Sequence, residues 1–173
     1  MLMKLAKSAR RGHASRTRPD RRRSAGALRL TIQHATRSRT VPAERTFRKW
    51  IRAALRADAS ITVRLVGLRE ARELNHTYRG KDYATNVLTF VLRDFPPYEG
   101  DLALCAPIVY REAQAQKKEL AAHYAHLTVH GILHLQGYSH EHESDAAQME
   151  KLETRILKGL GYPDPHATPY DHG

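Results

Sequence analysis

His130 and His134 stand one helical turn apart, and His140 follows Gly137 in the run His130-Gly131-Ile132-Leu133-His134-Leu135-Gln136-Gly137-Tyr138-Ser139-His140. An i, i+4 step places two side chains one above the other on a helix face, so both imidazoles can address one point in space. Glycine at 137 suits a helix end in left-handed backbone, after which the chain can turn His140 back toward the pair. Three imidazoles with a fourth position open describe a catalytic zinc site, whereas a structural site would usually close its shell with cysteines. The only cysteine is Cys105, far upstream. Taken singly, each histidine is more simply a partly buried residue with ordinary hydrogen bonds. His126 extends the same stripe, and His123 and His142 lie nearby, so the whole pattern HxxxHxxGxxH selects the ligands rather than proximity.

The same spacing occurs in the metzincin proteases, where the residue after the first histidine is a glutamate acting as general base. Here that residue is Gly131. A peptidase without its proton acceptor loses roughly two to four orders of magnitude in rate. Glu141, Glu143 and Glu150 lie downstream, but no spacing sets them over the metal. A metalloprotease is therefore the second reading.

The run from His130 to His140 resembles the signature HGxLHLxGYDH of the YbeY family of bacterial metal-dependent endoribonucleases, with Ser139 in place of the usual Asp. A second stretch, Leu74 to Phe90, is similar to the family's LNxxYRxKDxxTDVLSF, with Asn86 and Thr89 replacing Asp and Ser. Gly100-Asp101-Leu102 resembles its GDI-type strand, and the resemblance covers about residues 28–163. It implies a single-strand-specific endoribonuclease acting in late-stage 70S ribosome quality control and in maturation of the 3′ end of 16S rRNA. The implied partners are that RNA and the small ribosomal subunit, and the implied location is the cytoplasm.

By position, the resemblance makes His130, His134 and His140 ligands of one zinc ion, or another divalent metal, and Arg79 the catalytic, substrate-facing cation. Lys81 is a further candidate phosphate contact. A carboxylate at 139 could orient a ligand imidazole more strongly than a hydroxyl can, so Ser139 is expected to weaken metal binding. Asn86 keeps an acceptor oxygen while losing a charge, and a structural role is expected to survive there. A third reading is non-catalytic: a ribosome-maturation factor whose metal stabilises the fold while its surface binds RNA.

A chain of 173 residues with 41% hydrophobic content suits one domain with a sizeable core. A single cysteine excludes an intramolecular disulfide, and no apolar run reaches the roughly 18 residues needed to span a bilayer. The net charge of +11 is concentrated at the N-terminus, where residues 1–25 hold nine Lys or Arg against one acid, Asp20. Residues 1–26 are read as a basic, disordered extension: an RNA-contacting arm, a transit-peptide-like segment or a mere N-terminal addition. Residues 27–163 form the catalytic domain and 164–173 a tail. The domain is only mildly basic, so its RNA chemistry must rest on local arrangement.

Period two over Leu28, Leu30 and Ile32 predicts a strand, and Phe47, Trp50, Ile51, Ala54 and Leu55 predict a helix entered at Pro42. Ile61, Val63 and Leu65 predict a second strand, and Leu68, Ala71, Leu74 and Tyr78 a second helix ending near Arg79. Strands follow at Val87 to Leu92 and Leu102 to Cys105, the short separation favouring an antiparallel pair. From Pro107 to Gly137 the pattern is helical, with a break near Lys117 to Glu119. Ala146, Met149, Leu152, Ile156 and Leu160 mark a last helix, with Asp145 and Gln148 as a capping pair and Gly161 as its stop. The expected fold is a single α/β or α+β domain in which a mixed four-stranded sheet is packed by about five helices, the metal site lying on a helix of the C-terminal half.

Overall fold

The computed structural model describes residues 26–167. The elements are β1 (Leu28–Ala35), α1 (Glu44–Ala54), β2 (Ala59–Val66), α2 (Leu68–Arg79), β3 (Val87–Arg93), β4 (Tyr98–Cys105), α3 (Ala106–Ala115), α4 (Leu120–Leu135) and α5 (Glu143–Gly159). The sheet order is β1-β2-β4-β3. Helical crossovers make β1, β2 and β4 parallel, with Leu28 opposite Ala59 and Ala59 opposite Tyr98. The β3–β4 hairpin is antiparallel, with Val87 opposite Leu104. The expected mixed sheet and five helices are present. The basic extension lies largely outside the described residues.

Alternation along the strands turns Ile61, Val63, Leu65, Leu102 and Leu104 to one face, where they meet Phe47, Trp50 and Ile51 of α1 and Ile132, Leu133 and Leu135 of α4. Each such side chain, fully buried, contributes about 1.5–3 kcal/mol. α4 is buried on nearly every side, against α1, α3, α5, β3 and β4, so its histidines are held by a helix with little freedom to move. Gln136 pins its end to α1, donating to the Ala54 carbonyl at 2.7 Å and accepting from the Arg56 backbone N–H at 3.0 Å.

Some boundaries differ from the periodicity. α1 begins after Ala43, so Pro42 precedes the helix instead of occupying its first turn. β4 starts at Tyr98, before its alternating part, because the parallel ladder with β2 runs the full length from Tyr98 to Cys105. Asp145 and Gln148 do not cap α5. The N-cap is His142, which makes no side-chain cap, and Asp145 lies inside the first turn, where its charge favours the positive end of the helix dipole.

Candidate metal centre

α4 ends in a left-handed glycine turn. Gly137 has φ 96°, its N–H bonds to the His134 carbonyl at 3.0 Å, and the Tyr138 N–H bonds to the Leu133 carbonyl at 3.2 Å. This paired closure reverses the chain, and the half-buried Tyr138 packs on the core with the Arg56 guanidinium 5.0 Å from its ring centroid. His140 returns beside the helix as a result. Its ring lies 4.9 Å from that of His130 and 5.2 Å from that of His134, and the His130 and His134 rings are 4.6 Å apart. One ligand nitrogen from each of the three lies within 4.8 Å of the others.

Hydrogen bonding and burial set the surroundings of two of the three imidazoles. Glu153, on α5 and fully buried, accepts from Nδ1 of His130 at 2.5 Å, which leaves Nε2 of that ring as the free lone pair. Burial pushes the Glu153 carboxyl up, but hydrogen bonds from His126 and His130 outweigh it and hold the group well below the usual carboxylate range. Burial, followed by the neighbouring charges of His130 and His140, lowers the pKa of His134 and so favours the uncharged ring that a metal requires. The donor chemistry and convergence fit a divalent cation.

His130 and His134 border a cleft of about 440 Å³ whose other walls include Arg79, Thr85, Asn86, Val87 and Thr89. Arg79 is the last residue of α2, and Gly80 follows in left-handed backbone at φ 67°, so the guanidinium stands at the helix tip beside the cleft. Lys81 is exposed and does not border the cleft. Asn86 fastens the cleft wall to α3, its amide nitrogen donating to both Glu112 oxygens at 3.2 and 3.0 Å and its Oδ1 accepting from the Val87 N–H at 2.7 Å. An aspartate there could not donate to Glu112, so the asparagine suits this partner. Glu112 in turn meets Nε2 of His123 at 2.7 Å.

Among the described residues, Ser139 makes no side-chain hydrogen bond to any of the three imidazoles. Its hydroxyl accepts from the Glu141 N–H at 3.0 Å, a local turn contact. The carboxylate that does hold a cluster imidazole is Glu153, which no motif spacing singles out. Its signal was present as a lone acid at i+4 from Met149 and i−4 from Leu157, both buried, within an otherwise apolar stripe.

Gly131 faces the sheet. A Cβ there would lie 2.6 Å from Cδ2 of Leu102 and 3.1 Å from Oγ1 of Thr89, so the direction a protease glutamate would take is filled by β3 and β4.

Fold and site together define a class: a mixed-sheet α/β protein whose central helix and following turn bring three imidazoles together at the edge of a cleft. A family model described as Endoribonuclease YbeY matches residues 31–161. The chain is 54% identical over 137 residues to Endoribonuclease YbeY of Nitrosomonas eutropha, covering 79% of this chain and 97% of that one. It is 55% identical over 152 residues to the protein of the same description from Aromatoleum aromaticum, covering 86% and 98%. The solution structure of TM1509 from Thermotoga maritima matches with a TM-score of 0.50 at 26% identity, over 81% of this chain and 99% of that one. The chain belongs to the YbeY endoribonuclease family, hydrolases acting on RNA. Among the described residues, no helix is long and apolar enough to cross a membrane.

Proposed function

We propose that the chain is a zinc-dependent, single-strand-specific endoribonuclease that matures the 3′ end of 16S rRNA and takes part in late-stage 70S quality control, with the small ribosomal subunit as its partner. The observation that carries this reading is one cleft bordered by both the histidine pair and Arg79. His130, His134 and His140 hold the ion, and Glu153 fixes the His130 ring. When bound, zinc supplies a Lewis acid for a phosphoryl oxygen and lowers the pKa of a coordinated water. Arg79 binds the scissile phosphate, its planar fork making two charge-assisted hydrogen bonds and opposing charge that builds on the phosphoryl oxygens. Lys81, exposed and outside the cleft, meets a more distant phosphate of the same RNA strand. Asn86 and Glu112 keep the cleft wall in place.

Peptide hydrolysis is disfavoured because the general-base position of the protease pattern is Gly131, packed on Leu102. Replacing His134 or Arg79 by Ala in nuclease-free preparations should abolish cleavage of a 16S rRNA 3′-end substrate while circular dichroism reports an intact fold. Full activity in either variant would refute the assignment.

A further inference from the structure

A second group of metal-ligating atoms lies one turn earlier on α4. Nε2 of His126 and Nε2 of His166 approach the same oxygen of Glu153, at 3.2 and 2.9 Å, and the ligand atoms of the three residues lie within 4.8 Å of one another. His166 follows α5, beyond the residues 31–161 that the family model matches. It is held in position by specific bonds. The left-handed Gly161, at φ 91°, turns the chain at the end of α5. Asp164 then accepts from the Thr154 hydroxyl at 3.2 Å and the His166 backbone N–H at 2.9 Å, and Lys118 donates to the Pro165 carbonyl at 2.9 Å.

The charge balance points to a cation. Glu153 is fully buried, and among the described residues its ion-pair partners are three imidazoles, with no Lys or Arg among them. If His130 is a neutral metal ligand, as proposed above, a buried carboxylate remains without any permanently charged partner, and such a group is costly unless compensated. Two imidazole nitrogens and one carboxylate oxygen suit a first-row divalent ion of the zinc type. Access exists: the His166 side chain is 33% exposed, and His126 borders a cavity of about 480 Å³ between the start of α4 and the segment after α5.

We propose that His126, Glu153 and His166 form a second site for a zinc-type divalent cation, with solvent completing its shell. Glu153 then bridges the two sites, one oxygen on the second ion and the other on Nδ1 of His130. Occupancy draws electron density from the carboxylate and makes His130 a weaker donor to the first ion, so each ion reduces the affinity for the other.

Full-length protein stripped by chelator and retitrated with Zn²⁺ tests this, with bound metal counted by mass spectrometry and Co²⁺ absorption reporting ligand geometry. The wild type should take two equivalents and His134→Ala one. His166→Gln, which keeps an amide donor for Glu153, should take one, and so should His166→Ala, with circular dichroism confirming that each variant is folded. The proposal falls if the His166 variants keep both equivalents, or if the wild type takes a single equivalent lost only in His134→Ala. A single equivalent lost only in the His166 variants would keep this site and remove the three-histidine one. No bound zinc in any form would remove both.

Discussion

Two clusters share α4 and are built by the same device. In each, a helix ends in a left-handed glycine, and the segment beyond returns a histidine: His140 after Gly137, His166 after Gly161. They differ in charge and outlook. The first consists of three imidazoles and opens on a cleft that also holds Arg79, whereas the second contains a buried carboxylate and borders a cavity lined, among the described residues, by Lys117 and Lys118 and by no arginine. A neutral ligand set leaves the full charge of a bound cation available to a substrate. An anionic set neutralises part of it. On the assignments proposed above, identical backbone closures would prepare one ion for chemistry and confine another to support, the difference lying in one glutamate.

The largest test of this contrast is His140→Ala. Removing the proposed ligand that the glycine turn supplies should lower RNA cleavage by about two orders of magnitude or more, read by single-turnover assay. Activity near wild type would make the returning histidine dispensable. Glu153→Gln should come next. It leaves the first cluster intact but removes the anion orienting His130, and metal affinity should fall by about 10–100-fold in a competition titration.

Gly131→Ala probes the scaffold under both clusters. The added methyl meets Leu102 at 2.6 Å, so the folded state should lose about 1–3 kcal/mol, seen as a lower denaturation midpoint at unchanged m-value. The smallest effect concerns pH. Burial, with the charges of His130 and His140, lowers the folded-state pKa of His134 below its unfolded value, so the unfolded chain binds the proton more readily. The stability of metal-free protein contributed by this group is therefore present above about pH 6.5 and declines as pH falls below it. His134→Gln should flatten that part of the melting-temperature profile between pH 7.5 and 5.5. An unchanged slope would contradict the neutral-ring account.

The elements of this fold were largely legible because each obeys one period: Ile61, Val63 and Leu65 by two, Phe47, Trp50, Ile51 and Ala54 by the helical repeat. The HxxxHxxGxxH spacing was legible for the same reason, since a helix turn and a glycine closure are local. Strand order was not, because β2 sits between β1 and β4 only through crossovers that no local pattern records. Glu153 was hidden for a related reason. Its partners lie on α4 and beyond α5, and only tertiary packing turns an odd acid in an apolar stripe into the anchor of His130. Ser139 stands next to His140 in the motif, yet its hydroxyl serves the turn.

The segment that carries His166 has one more attachment. Nε1 of Trp50 on α1 donates to the hydroxyl of Tyr162 at 3.1 Å, with the rings 6.0 Å apart and nearly edge to face. Trp50 is the only tryptophan in the chain. Its indole emission is consequently a built-in optical reporter of whether the segment after α5 is docked, readable in the unlabelled protein and undiluted by any second fluorophore of its kind.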